Sequence, residues 1–376
     1  MITVRALDTN RRRDRRAWIE LPYRLYANDP LWVPPMVAEA QMQLDRRRHP
    51  FFQHSEAVFF LAEQDGQVVG RLAVLENRLY NARTGARRAF FTHFETVEDF
   101  AVAAALFEAA FAWCRRRQLD TLVGPKGFLT ADGMGLLVEG FQRRPALGIP
   151  YNPPFYHDFI RQLGFERETD FLSGYLSADH PLPERLVRIA ERAKQRYGFR
   201  VERYRSKRAL RRLVPLVVAV YNEAFTENWE YVPITPAEAK VIAERLLAII
   251  RPELVQLVWK DERPVGFLLC YPDISAAIQR TGGRLWPCGW FHLWREFGRT
   301  EWVNLNGIGI VPAYRGRGVD AILFVELART IKGSRYQHAL VVQIDEGNSK
   351  MQLEMAALGV TFDTRHRIFR RSVAHA

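Results

Sequence analysis

Residues 303–331 read VNLNGIGIVPAYRGRGVDAILFVELARTI, and their order is strand, basic glycine turn, helix. Val303 and Leu305 alternate with Asn304 and Asn306, but beyond Gly307 the apolar positions are Ile308 and Ile310, so the phase slips by one residue at a glycine. That slip predicts a β-bulge, which bends a strand and lets it splay from its neighbour. Pro312 has no N–H to donate and ends the ladder. Arg315-Gly316-Arg317-Gly318 follows, and from Val319 the spacing is helical, with Val319, Leu323, Leu327 and Ile331 on one stripe and Ile322 beside it. A glycine turn opening a helix presents backbone N–H groups at the positive end of the helix dipole, and two arginines add charge-assisted donors. Such a turn is suited to phosphate.

Arg315-x-x-Gly318 resembles the start of the R/Q-x-x-G-x-G/A signature of the GCN5-related N-acetyltransferases, the GNAT superfamily, in which the signature follows a bulged strand. The resemblance implies that acetyl-coenzyme A or another acyl-coenzyme A is the co-substrate and that no metal is needed. It places Ile310 and Val311 against the pantetheine arm, and Arg315, Gly316, Arg317, Gly318, Val319 and Asp320 around the pyrophosphate. The last signature position should be Gly or Ala and is Asp320, a carboxylate that must point away from the phosphates. Asn348 corresponds to an asparagine near the coenzyme, and Met355 stands where many members carry the tyrosine that protonates the leaving thiolate.

The chain has 376 residues, 48% of them hydrophobic, enough for two cores. Lys+Arg 54 against Asp+Glu 42 leaves a net charge of +12, which favours acidic partners such as coenzyme phosphates, nucleic acid or anionic surfaces. Most of the arginine clusters, such as Arg11–Arg16 and Arg46–Arg48, read as solvated helix faces. Cys114, Cys270 and Cys288 show no metal-ligand or CxxC spacing, and with no apolar leader and no run of about 18 apolar residues a cytoplasmic protein without a membrane partner is expected.

The two halves repeat one another. QDGQVVGRLAV aligns with KDERPVGFLLC, setting Gly70 opposite Gly266, and NPPFYHDFIRQLGF resembles NSKMQLEMAALGVTF, setting Asn152 opposite Asn348; the offset is 196 in both (266 − 70, 348 − 152). Self-similarity in the same order marks a duplicated domain. The expected fold class is α/β (α+β): two GNAT-like domains, 1–178 and 179–376, each a mixed, mostly antiparallel central sheet flanked by helices. In the first half the position of the phosphate turn reads ETVED, without glycine or arginine, so coenzyme is expected only in the second. Pro125 to Pro154 reads as a long loop, and NDPLWVPPM, Asn28 to Met36, as a packed loop rich in proline and aromatic residues.

Acyl transfer from a thioester to an amine needs a neutral amine, a polarised carbonyl and close alignment of the two. Within YNEAFTENWEYVPIT, Glu223 and Glu227 are the candidate bases, and Tyr221, Asn222, Asn228 and Trp229 are candidates to shape the acceptor pocket. Asn304 and Asn306 lie on the strand beside the reacting group and can orient substrates without acting as bases. These features point to a coenzyme-A-dependent N-acyltransferase acting on a small-molecule amine. A Fem-like aminoacyl transferase using charged tRNA and a non-catalytic coenzyme-binding or partner-binding descendant are the alternatives.

Overall fold

Why the two halves repeat is visible at Gly70 and Gly266 in the computed structural model, which describes residues 1–373. Each glycine lies on the second strand of a hairpin, under a helix, where a side chain has no room. A Cβ on Gly70 would come within 2.9 Å of Val102 and Leu106, and one on Gly266 within 2.7 Å of Val319. The described chain divides into two compact units. The first comprises Met1–Phe171, Ser275–Leu293 and the segment from Thr364, and the second comprises Leu172–Ile274 and Trp294–Asp363.

In the first unit β1 (Ile2–Ala6), β2 (Glu56–Gln64), β3 (Gln67–Glu76), β4 (Arg88–Thr96) and β5 (Thr121–Gly124) lie side by side in that order. All of these neighbours are antiparallel except β4 and β5, which are parallel. Asp65-Gly66 forms the β2–β3 turn with both residues at positive φ, as the Asp-Gly pair predicts. Helix Phe100–Arg116 buries Val102, Leu106, Ala110 and Cys114 on one side, the 3.6-residue period that seats it on a sheet. The loop at Asn28–Met36 is packed as expected, with Trp32 stacked on Tyr26 at 5.0 Å. The long insertion after Gly124 contains a short strand, β6 (Leu136–Glu139), which pairs with Arg365–Arg367 of the chain's last strand.

The division differs from a single break after residue 178 in three segments: residues 172–178 join the second unit, while Ser275–Leu293 and the segment from Thr364 join the first, held there by specific bonds. Gln279 Nε2 donates to the carbonyls of Pro30 and Trp32, both at 2.9 Å, and Tyr23 Oη donates to Gly282 O at 2.9 Å. Phe369–Ser372 pairs with β5. Asp170, fully buried, receives both forks of Arg367 at 2.8 and 2.9 Å and Arg365 at 3.1 Å.

In the second unit β7 (Glu166–Ser177) contributes its C-terminal half, followed by β8 (Arg200–Glu202), β9 (Val255–Lys260), β10 (Arg263–Pro272), β11 (Trp302–Ile310) and β12 (His338–Asp345). The spatial order is β7-β12-β11-β10-β9-β8. Again one central pair, β11–β12, is parallel. Helix Val319–Lys332 packs on this sheet chiefly over β9 and β10, with Ile322, Leu323 and Val325 buried, and helix Glu184–Tyr197 packs beside it through Ala190 and Ala193. Helices Ser275–Thr281 and Gly289–Phe297 lie between β10 and β11 in the chain.

Candidate functional site

The predicted bulge is present. Leu268 pairs with Ile308 but Cys270 pairs with Leu305, so Asn306 and Gly307 together face Leu269. On the other edge β11 and β12 pair from Trp302↔His338 to Leu305↔Val341. Past that pair β11 continues for five residues (310 − 305) and β12 for four (345 − 341). The strands separate where the bulge begins. Gly307 sits at φ +147°, and a Cβ there would meet nothing within 4 Å, whereas one on Gly309 would strike Phe267 at 2.6 Å and Phe225 at 2.9 Å. The open side of the strand is thus at Gly307. Val311 N–H donates to Val265 O at 2.9 Å, so it is engaged within the sheet. By strand alternation the N–H of Ile310 lies on the opposite edge, toward the separation.

Beyond the short turn at Pro312–Tyr314 the chain enters Gly316 and Gly318 at φ +70° and +79°. A Cβ on Gly316 would meet nothing within 4 Å, leaving the backbone open to a ligand, while one on Gly318 would lie 2.9 Å from Ala193 Cβ. The helix begins at Val319, and its first N–H groups have no carbonyl one turn back to bond. The Arg317 guanidinium stands 5.7 Å from the Tyr197 ring and 5.5 Å from the Tyr314 ring, with no carboxylate paired to it among the described residues. Arg315 is differently placed. Its two terminal nitrogens donate to Glu227 Oε2 and Ala224 O, both at 2.6 Å. Asp320 accepts from Ala321 N–H at 2.9 Å and interacts with Glu354. Burial first, then the Asp320 charge, pushes the Glu354 carboxyl above its ordinary range, against the pull of Lys350.

At the other end of β11 the strands bring together four polar side chains. Asn304, fully buried, donates through Nδ2 to Asp273 Oδ2 at 3.3 Å, and its Oδ1 has no hydrogen-bond partner among the described residues. Asn306 Nδ2 donates to Tyr271 Oη at 2.7 Å. Burial, then the Asp273 charge, raises the Tyr271 phenol, so it stays protonated through the neutral range. Asp273 and Tyr271 were not among the residues the sequence singled out. Their signal was an aspartate and a tyrosine two apart at the end of the apolar run FLLCYPDI, which puts both on one face of a strand.

Of the proposed acceptor residues, Asn222 latches the following loop, its Oδ1 accepting from Ile234 N–H at 2.9 Å. Tyr221 stacks on Phe225 at 4.4 Å, and Asn228 is exposed. Trp229 is half-buried in the same loop. Glu223 is ion-paired with Arg263 and Glu227 with Arg315. Asn348 caps helix Ser349–Ala357, accepting from Met351 N–H at 3.1 Å, and Met355 is buried in the second core.

The first unit has the same bulge but fills it. Arg71 pairs with Glu95 and Ala73 with Thr92, so His93 and Phe94 face Leu72. His93 packs 5.9 Å from the Trp18 ring, and burial, then Arg71, lowers its pKa to about 3. Thr96 N–H donates to Tyr156 Oη at 2.7 Å, and that hydroxyl donates to Thr96 O at 3.1 Å. A buried tyrosine takes the backbone groups at the end of β4.

No protein-family model matches the chain. Protein YghO of Escherichia coli strain K12 is 28% identical over 368 residues, covering 96% of this chain and 93% of that protein. The protein named bacterial ceramide synthase of Caulobacter vibrioides is 31% identical over 376 residues, covering 95% and 94%. Among solved structures, a tandem GNAT protein from the clavulanic acid biosynthesis pathway superposes with a TM-score of 0.59 at 12% identity, covering 99% of both chains. A GCN5-related N-acetyltransferase from Sphaerobacter thermophilus gives 0.52 at 15% identity, covering 99% and 96%. The chain has the fold of a tandem GNAT protein, and it belongs to the family of the Caulobacter bacterial ceramide synthase.

Proposed function

We propose that the second unit transfers an acyl group from acyl-coenzyme A to the amine of a long-chain amino lipid. The observation that carries this reading is the separation of β11 from β12 at Gly307, leading into a helix start flanked by Arg315 and Arg317. A ceramide is the amide of a fatty acid with a long-chain amino alcohol, so the name of the Caulobacter relative supports a fatty acyl donor and a lipid amine. A mainly apolar cavity lined by Val303, Leu305, Phe324, Leu327, Val341 and Met355 offers space for an alkyl chain beside the paired part of β11 and β12.

The roles follow from chemistry. The N–H groups of Gly316 to Asp320 and the free donors of Arg317 suit the pyrophosphate, and the N–H of Ile310 suits the pantetheine arm. Asn304 Oδ1, buried with no partner, suits an amine N–H. Asp273, next to Asn304, is the carboxylate assigned to take the ammonium proton, since Glu223 and Glu227 are held by arginines. As the C–N bond forms and the C–S bond breaks, the Tyr271 hydroxyl at the bulge supplies the thiolate proton that Met355 cannot, and the second proton lost by the nitrogen restores the phenol.

The test follows coenzyme A thiol release from acetyl-, octanoyl- or palmitoyl-coenzyme A, with sphinganine or spermidine as acceptor. Release with the longer donors and only in the presence of sphinganine is expected. No release with any pair would overturn acyl transfer, and release with acetyl-coenzyme A and spermidine alone would overturn the lipid substrate.

A further inference from the structure

Helix Gly289–Phe297 turns its aromatic residues outward. Its half-buried or buried positions are Gly289, His292, Leu293, Glu296 and Phe297, while Trp290 is 57% and Trp294 69% exposed. Trp290, Phe291 and Trp294 share one face of the helix, since i, i+1 and i+4 are neighbours at 3.6 residues per turn. Immediately before it Leu285 is exposed and Trp286 is 82% exposed. A surface helix of a soluble domain shows polar residues on this face, and a concentration of exposed tryptophan marks an interaction surface.

The charge around these side chains selects the occupant. Between residues 280 and 299 the chain carries Arg280, Arg284, Arg295 and Arg299, all exposed, against one acid, Glu296. A second copy docked about a twofold axis would set this arginine-rich rim against itself, which repels. A bilayer with anionic headgroups offers the reverse: phosphates for the arginines and an interface where the indole ring is apolar at one end and wet at the other. Among the described residues no helix is long and apolar enough to cross a membrane. Attachment would therefore be to the surface.

We infer that the segment Arg280–Arg299 docks the protein on anionic membrane surfaces, with Trp286, Trp290 and Trp294 entering the headgroup layer. This goes beyond the acyl-transfer reading and does not require it, and it revises the expectation of no membrane partner.

The experiment is cosedimentation of the full chain with sonicated vesicles of phosphatidylcholine alone or mixed with phosphatidylglycerol, without substrate or coenzyme. Binding is expected with the anionic vesicles and not with the neutral ones, weakened by salt. Trp286→Ala with Trp290→Ala should weaken it by about tenfold or more, as should Arg284→Glu with Arg295→Glu in a protein that keeps its tryptophans. Cooperative melting confirms that each variant is folded; if one is not, the other pair decides. Failure of the native chain to bind, binding unchanged in the folded variants, or a concentration-dependent dimer that the same variants abolish would each overturn the inference. Thiol release measured with micellar sphinganine reports on the acyl-transfer reading separately.

Discussion

Arg317 and Arg315 stand two residues apart in one turn, and under the proposed function they take unequal parts in coenzyme binding. The Arg317 guanidinium is exposed and lies over the rings of Tyr197 and Tyr314. Truncation to alanine removes two exposed cation–π contacts of about 0.5–1 kcal/mol each, a small change in melting temperature. It also removes a charge-assisted bond to phosphate of about 1.5–3 kcal/mol, which corresponds to about a ten- to hundredfold rise in Kd for coenzyme A. Arg315 begins from a different state, since it must leave Glu227 Oε2 and Ala224 O, each at 2.6 Å, to reach a phosphate. Its truncation should raise Kd less, and Glu227→Gln should lower Kd by releasing Arg315 and removing a negative charge. Calorimetric titration with coenzyme A at two salt concentrations measures all three, and the Arg317 effect should shrink as salt rises. A Kd for Arg317→Ala within about twofold of the native value, in a protein with native melting, would refute the assignment of this turn to the pyrophosphate.

Three further outcomes follow. Asp170→Asn should cost about 3–5 kcal/mol, read by urea denaturation, because it leaves Arg365 and Arg367 facing each other around a buried neutral amide. Burial pushes the Asp170 carboxyl up, but Arg367, then Arg365 and Arg167, outweigh it and lower the pKa; the pair's stabilisation is therefore present above the ordinary carboxyl range and lost only as pH falls through the lowered value. Glu354 is shifted the other way, so its carboxylate disfavours the fold at neutral pH and its acid form does not. Glu354→Gln should raise the melting temperature at pH 7 and leave it nearly unchanged at pH 3. Tyr271→Phe should cost about 0.5–1.5 kcal/mol for the bond to Asn306 and lower kcat while leaving KM for the acyl donor nearly constant; a loss in KM alone would show that the hydroxyl positions rather than protonates.

The bulge was legible in the sequence because an inserted residue flips the parity of every side chain after it, and the apolar pattern around Gly307 records that flip. The helix after Gly318 was legible for the same kind of reason, through its 3.6-residue stripe. The Asn304–Asp273 contact was not. It depends on the register of β10 against β11, where Tyr271 faces Asn304, and register is fixed by the whole sheet rather than by either strand. Nor did the pattern reveal helix Gly289–Phe297, whose exposed tryptophans invert the rule that apolar residues mark the buried face. The ion pairs of Glu223 and Glu227 were equally hidden, because Arg263 and Arg315 are 40 and 88 residues away in sequence.

The two units differ in how the parted strands are completed, which bears on the proposal that only the second holds a co-substrate. Separating two parallel strands leaves backbone N–H and C=O groups that must find partners. In the first unit the partner is internal: Tyr156, reaching from helix Phe155–Gln162, both accepts from and donates to Thr96. The residue aligned with it at the offset of the repeat is Gln352 (156 + 196), on helix Ser349–Ala357. Its amide donates to the carbonyls of Asp345 at 3.1 Å and Glu346 at 2.8 Å, at the end of β12, and leaves the edge of β11 alone. The second bulge residue diverges in the same direction, from Phe94, packed 4.9 Å from the Tyr156 ring, to a glycine with nothing within 4 Å of where its Cβ would be. In one unit a side chain completes the sheet edge, and in the other the edge at Gly307 stays open, where the proposed coenzyme arm would complete it. The unit that looks less finished as a fold is therefore the one suited to chemistry.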